Sequence, residues 1–334
     1  MYRTLRVLPL LLLALACAKS TVSPSVRLDF VGGGRFTSST RTLSPTAPAD
    51  TLASKIYANA TDTTVVLRRL QILLTSSPRT PILYSSSGIA LTQPAPDPRL
   101  VYLDSILLPG TKDLAFTNLI SARTTSGDDL WEYKVTDTLR QSASRAYHLL
   151  LRRPDSMAVV QNYRLFLSPV PYKSGAALTP AQNRAFAYVG LRQGLLLPHF
   201  AVANKSVANQ ALVDLVCIAS GTDVRLASTA STNITVTNKP AQLTELRSTA
   251  LGISDFSNFT TNVLLEPAFN NGGTYGAAGG SFDAFVTAPL VKGTVVAFRI
   301  TDQKTKTRQY GAILVTDIVR TPTAIITCQV AVEK

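Results

Sequence analysis

The chain has 334 residues, 46% of them hydrophobic and only 16% charged, a balance that excludes an intrinsically disordered polypeptide. Lys and Arg outnumber Asp and Glu by 33 to 20, for a formal net charge of +13, and only four of the acids are Glu. Few Glu and Lys beside many Thr, Val, Leu and Ser favour strands over helices, and the length predicts two domains rather than one.

The first element is an apolar run. Arg3 and Arg6 precede Val7 to Ala16, an uncharged stretch of ten residues. That is the layout of an export signal, and it falls short of the roughly 20 apolar residues that a membrane-spanning helix needs. Cys17 follows at once. The Ala-Leu-Ala-Cys ending resembles the lipobox of bacterial lipoproteins, with Ala14 and Leu15 in reversed order. The resemblance implies that Cys17 receives a diacylglycerol and becomes the new N-terminus. The same residues contain Ala14-x-Ala16, the pattern of ordinary signal cleavage, which would release a soluble protein with a free N-terminal thiol. On the lipoprotein reading, residues 1–16 are the signal and 17–25 a tether, and two or three acyl chains hold the protein to a membrane.

Loss of Arg3 and Arg6 lowers the net charge to +11. The excess suits anionic lipid heads, acidic glycans or nucleic acid. Nucleic acid is discounted, because an exported chain with thinly spread charge rarely meets it. Local concentrations are the doublets Arg68-Arg69 and Arg152-Arg153, and Lys304-x-Lys306-x-Arg308. In a strand that last spacing places all three cations on one face, which reads as a solvated hairpin.

Strands follow in order. Val26, Leu28 and Phe30 alternate with polar residues, and "TTVVLRRLQILLTSS" is a longer run ended by "SSPRTP". "DDLWEYKVTDTLRQSASRAYHLLLRR" predicts a hairpin, with Trp131, Tyr133 and Val135 on one face going out and Tyr147, Leu149 and Leu151 coming back. "VVQNYRLFLSPV" is expected to close this half, giving a first domain over 26–167. Three prolines and a glycine make 168–180 the linker, and 181–334 the second domain. There, "QALVDLVCIAS", "GTVVAFRIT", "YGAILVTDIV" and "TAIITCQVAVEK" read as strands, the last three as a meander. Ser254 is expected to cap a helix carrying Phe256, Phe259 and Val263, and "NNGGTYGAAGG" is expected to be a mobile loop. The fold class expected is all-β, two tandem antiparallel β-sandwiches of immunoglobulin-like type with little helix.

The "WEYKVTD…SASRAYHLLL" hairpin resembles the closing strands of bacterial immunoglobulin-like extracellular domains, with Leu139 and Arg140 in a turn that usually holds Gly. "ALVDLVC", "LRSTALGISDFSNF", "GTVVAFRITDQKTKTRQYGAILVTDI" and the last strand resemble a domain of uncharacterised cell-envelope lipoproteins from Bacteroidetes-type bacteria. The resemblance spans about 130 residues and implies an envelope location, with no catalytic or binding residues. The O-glycosylation signal of such bacteria resembles Asp-[Ser/Thr]-[apolar or Thr]. Five matches place candidate acceptors at Thr51, Thr63, Ser105, Thr138 and Ser156, all in the first half. The competing reading is that Asp-Ser and Asp-Thr pairs bond the backbone in turns.

No pattern requires catalysis. His148 and His199 lack spaced partners for a metal, and Asp128, Asp129 and Glu132 lack calcium-loop spacing. There is no nucleophile elbow or phosphate-cradling loop, and Trp131 reads as a core anchor. No catalytic, cofactor or metal residue is assigned. Cys217 and Cys328 lie in apolar runs, where either a disulfide or two buried thiols fits. The expected role is that of a non-catalytic binding or scaffold protein, lipid-anchored at the outer membrane or cell surface, with the periplasmic face as the alternative. Its partners would be the membrane and an envelope protein or glycan, met through the glycine-rich loop and the basic hairpin. The alternative roles are a carbohydrate-binding accessory protein of a glycan-uptake system, recognisable by a row of exposed aromatics, and a secreted soluble protein if Cys17 is not lipidated.

Overall fold

The computed structural model describes residues 25–33, 35–43, 51–78, 99–121, 127–151, 160–172, 178–192, 194–203, 207–232, 234, 242–256, 262–276, 282–320 and 324–333. Cys17, the signal, the rest of the tether, Arg152-Arg153, Ser156 and Phe259 lie outside them. Among the described residues the fold is all-β with a few short helices, in four sheets.

Two sheets form the first pair. β1 (Val26–Phe30), β3 (Thr51–Ala60) and β6 (Asp113–Ser121) make a three-stranded antiparallel sheet in the order β1-β3-β6. Opposite lies a five-stranded sheet in the order β2-β8-β7-β4-β5. Its members are β2 (Arg41–Leu43), β4 (Leu67–Pro78), β5 (Leu100–Ile106), β7 (Gly127–Asp137) and β8 (Ser142–Leu151). The hairpin forms as its alternation requires. Trp131, Tyr133 and Val135 on β7 and Tyr147, Leu149 and Leu151 on β8 are all buried, because alternate residues of a strand share a face. Phe30 of β1 meets Tyr133 and Tyr147 edge-on, each at 5.5 Å between ring centres, and Tyr102 of β5 meets Trp131 at 4.9 Å. Burial of side chains this size contributes roughly 1.5–3 kcal/mol apiece.

The second pair begins with β10 (Val170–Pro171), β11 (Phe186–Gly190), β12 (Leu195–Pro198), β13 (Leu215–Ser220) and β14 (Asp223–Ser228). β13 is central, bonded to β14 along one edge and to β10 and β11 along the other. Facing it is a six-stranded sheet in the order β16-β15-β17-β18-β19-β9. Its strands are β9 (Val160–Leu167), β15 (Gln242–Ser248), β16 (Gly273–Thr274), β17 (Val295–Asp302), β18 (Arg308–Val319) and β19 (Ile325–Glu333). β17, β18 and β19 make the expected meander. Gly311 sits beneath the Phe298 ring, where a Cβ would lie 2.1 Å from a ring carbon.

Three expectations change. Val160–Leu167 does not close the first half: β9 pairs with β19 over its whole length, Val160 opposite Glu333 and Leu167 opposite Ile326. Both strands carry an apolar face, and the edge of the last strand supplies the missing neighbour. The described start of the expected linker is structured too, since β10 pairs in parallel with β13 and Ser168 N donates to Phe186 O at 3.0 Å. Ser254 is not a cap. It lies inside α4 (Ile253–Phe256), with Phe256 buried, whereas Val263 is exposed on a separate 3₁₀ turn before α5 (Leu265–Asn270). α5 covers the outer face of the six-stranded sheet, with Phe269 against Tyr310 and Arg299.

The two sheet pairs share apolar material. α1 (Pro180–Asn183) is followed by α2 (His199–Ala203) and α3 (Val207–Ala211), which lie over β5. Phe200 of α2 meets Tyr102 at 6.0 Å, and Asn209 Nδ2 of α3 donates to Val101 O at 2.6 Å. One apolar cluster runs from Trp131 through Phe200 and Val202 to Val216 and Ile218 on β13. The alternate residues Leu215 and Cys217 point the other way, into the core of the second pair with Cys328. Both cysteines are buried free thiols, held uncharged by burial, which pushes Cys328 up to about 12 and Cys217 well above its ordinary value.

Asp214, just before β13, is fully buried. Its carboxylate accepts from Leu191 N at 2.7 Å and Gln242 Nε2 at 2.9 Å. Desolvation still wins over these donors and the nearby Arg192 and raises its pKa to about 6. The folded state therefore binds a proton more tightly than the unfolded chain. The stability this confers is complete below pH ~4 and declines as pH rises through about 6, by roughly 2–3 kcal/mol. Asp214→Asn, with Gln242 turned to accept from the new amide, is expected to flatten the profile in chemical-denaturation curves taken between pH 4 and 7. An unchanged profile would remove Asp214 as its source. Thiol reagents are expected to modify Cys217 and Cys328 only in denaturant, whereas modification under native conditions would contradict their burial.

Candidate functional site

Loops at one end of the first sheet pair are laced together by backbone bonds. Thr61 N donates to Ser25 O at 2.8 Å, Ala60 N to Lys112 O at 2.9 Å, and Leu67 N to Thr111 O at 2.7 Å. Leu107 N donates to Arg68 O at 2.8 Å, and Thr138 N to Val66 O at 3.1 Å. The segments 61–66, 107–112 and 138–141 thus share one surface, and the described chain starts from it at Ser25. Asp137 fixes that start. Its buried carboxylate accepts from the Ser25 hydroxyl and from Gln141 N, the latter at 2.8 Å. Such charge-assisted bonds offset the cost of taking a carboxylate out of water.

At the same end of the sheet pair, residues of β4, β5, β7 and the turn after β7 line a cleft of about 600 Å³, with Arg68, Arg69 and Arg140 as its cations and Asp104 as its accessible carboxylate. Adjacent strand residues normally face opposite ways, yet Arg68 and Arg69 are both exposed. The pairing of β4 with β7 slips between Leu67 and Arg69, which turns both outward. Arg69 grips Asp104 with two bonds, Nε to Oδ1 at 2.6 Å and Nη2 to Oδ2, and this pair raises the Arg69 pKa. Arg68 and Arg140 make no ion pair with any described residue. Two planar guanidinium groups in one cleft suit a carboxylate or phosphate oxyanion.

Arg140 stands in the left-handed region, at φ 65°. Arg140 N donates to Asp137 O at 3.2 Å, and Asp137 N donates to Gln141 O at 3.0 Å, which closes the β7–β8 turn. The turn that the resemblance expects to hold Gly has an arginine here, at a conformational cost of about 1–2 kcal/mol. Around the cleft, Ile106 and Leu108 are each 80% exposed and Leu139 is 62% exposed. Lys112, four residues after Leu108, donates from Nζ to Thr63 O at 2.8 Å.

Three candidate O-glycosylation residues meet at this end, Thr63 and Thr138 exposed and Ser105 half-buried. The aspartate before each is engaged structurally. Asp62 accepts from Thr64 N and Oγ1, both at 2.8 Å, which lowers its pKa; Asp104 holds Arg69, and Asp137 holds Ser25. Thr51 lies at the other end of β3, opposite Ser121.

Other sequence candidates stay apart. His148 Nδ1 lies 2.9 Å from Asp128, Asp129 bonds the Ser76 hydroxyl inside the sheet pair, and Glu132 pairs with Arg99. His199 Nδ1 lies 3.0 Å from Asn183 Oδ1, and burial lowers its pKa. Lys304, Lys306 and Arg308 do not share a strand face: the first two lie in a turn in which Asp302 accepts from Lys304 N at 2.8 Å and Thr305 N at 2.9 Å. The described part of the glycine-rich stretch includes β16, paired with β15. Trp131 is 1% exposed, a core anchor. Among described residues, Tyr57 is the large aromatic that is exposed, and its hydroxyl donates to Asp113 at 2.8 Å. Sequence reasoning missed the convergence of Arg140, Ile106, Leu108 and Leu139. Its one visible sign was "LLPGT", a turn with an apolar tip.

No family model matches the chain, and no curated protein matches its sequence. Among solved structures it is similar to a DUF4466 family protein from Parabacteroides merdae, at 9% identity and a TM-score of 0.33, over 93% of this chain and 99% of that one. It is also similar to part of a β-glucosidase from Listeria innocua, at 8% identity and a TM-score of 0.21, over 39% of this chain and 17% of that one. Likenesses this weak bear on neither chemistry nor ligand.

Arg140→Gly is expected to raise stability in denaturant unfolding by about 1 kcal/mol, by relieving the left-handed backbone while removing a cleft cation. A loss of stability would mean that the guanidinium holds the turn.

Proposed function

We propose that the protein is a lipid-anchored cell-envelope protein of the kind found in Bacteroidetes-type bacteria. In this reading it is built of two tandem immunoglobulin-like β-sandwich units and acts as a non-catalytic binding or scaffold protein. The observation that carries the reading is the place of Ser25, the described residue nearest to Cys17. Ser25 is fastened by Asp137 and Thr61 at the cleft end of the first unit, eight residues after Cys17. An acyl anchor on Cys17 would then hold this end toward the membrane. The remainder would face outward, with the second sheet pair free to meet a partner. The binding role is supported by the company the titratable residues keep. His148, His199, Asp129 and Asp214 each serve a local structural bond rather than converging on one point.

Labelling cells with a radioactive fatty acid tests the anchor. Label is expected in the parent chain and absent from Cys17→Ser. Equal absence in both would mean cleavage at Ala16 and release, and would end the anchored reading. Mass spectrometry of the exported chain tests Thr63 and Thr138 as glycan acceptors.

A further inference from the structure

We infer that the cleft end of the first sheet pair is itself a membrane-docking face that seats on anionic lipid headgroups, with Ile106, Leu108 and Leu139 entering the interfacial layer and Arg68, Arg140 and Lys112 meeting the headgroup charges. The inference deepens the lipid-anchored reading and rests on it for the face's orientation. Three observations converge. The two most exposed large apolar side chains among the described residues are Ile106, the last residue of β5, and Leu108, in the loop that follows it, and Leu139 projects from the neighbouring turn. Each has a cation close in sequence or space: Arg68 backbone-bonded to Leu107, Lys112 after Leu108, and Arg140 after Leu139. Apolar tips ringed by long basic side chains suit a bilayer surface, where the tips lose water and the cations reach phosphate. On this face Asp104 is paired with Arg69, the buried Asp137 accepts from Ser25 and Gln141, and Asp62 is an exposed carboxylate near Lys112. Arg68 and Arg140 make no ion pair with any described residue and offer their guanidinium groups to headgroup phosphate.

The third observation is the chain's own geometry. Ser25 lies on the same surface, and the eight residues from Cys17 span at most roughly 28 Å when fully extended. An acylated Cys17 therefore keeps this face within a short reach of the bilayer. The acyl chains give residence there, and the face gives orientation.

The test separates the two. The exported chain carrying Cys17→Ser, recovered after cleavage at Ala16, is mixed with phosphatidylcholine vesicles or with equimolar phosphatidylcholine–phosphatidylglycerol vesicles and floated on a density gradient. Flotation is expected with the anionic vesicles only, and it should weaken as salt is added. Leu108→Asp with Leu139→Asp is expected to cut the bound fraction by on the order of 10-fold or more. Arg68→Gln with Arg140→Gln should weaken binding to anionic vesicles, and both pairs should leave the thermal transition close to the parent's. Equal flotation of parent and leucine variants would overturn the inference, as would no flotation at low salt. So would dimers abolished by the same leucine changes without flotation, which would assign the face to a second copy. Fatty-acid label without vesicle binding would leave the anchor standing and remove the docking face; the reverse would do the opposite.

Discussion

The layer that everything else leans on is the sheet around β13, because it is buried on both sides. Val216 and Ile218 face the first sheet pair, and Leu215 and Cys217 face the second. A strand dry on both faces must satisfy its backbone wholly within its sheet. That requirement is met by β14 on one edge and β10 and β11 on the other. Phe200 and Asn209 then tie the layer to Tyr102 and Val101 of the first pair. The two pairs therefore do not swing freely about a linker, and the cleft end keeps a fixed direction relative to the rest.

Within the first pair, stability and surface chemistry occupy opposite sides of the same strands. On β7, Trp131, Tyr133 and Val135 point inward, while Glu132 reaches out to Arg99. At the end of the strand this separation breaks down. Asp137 is buried, yet its work is to hold Ser25 and the turn that presents Leu139 and Arg140. Strain is accepted at Arg140 and apolar exposure at Leu139 in one four-residue turn. Two unfavourable local choices side by side, fixed by a buried carboxylate, fit a surface that is used.

What was legible in the sequence was local. Alternation marked β1, the β7–β8 hairpin and the closing meander, since a two-residue period states which face is dry. Pairing over long separations was not legible. Nothing within Val160–Leu167 says that its neighbour is Ile325–Glu333 rather than the hairpin just before it, because any apolar strand edge can accept another. The cleft was hidden for a similar reason. Arg68, Ile106, Leu139 and Arg140 come from three separate stretches of chain and meet only through the bonds among their loops. The doublet Arg68-Arg69 was visible, but the register slip that turns both outward was not. The basic hairpin was legible in part: β17 and β18 pair as a hairpin with its cations exposed, but Lys304 and Lys306 lie in the turn that Asp302 holds rather than on a strand face with Arg308.

The pairing of β9 with β19 sets an order of events. β9 is synthesised before the other described strands of its sheet, and its one partner in that sheet among the described residues is β19, more than 150 residues later. While the chain grows, the first sheet pair can complete itself, but β9 must wait for its neighbour until β19 arrives. An interrupted or clipped chain would expose the edge of β9 to any other strand at hand, its own copies included. β19 thus acts as a seal: a chain in which it has not yet formed keeps β9 as a point of self-association.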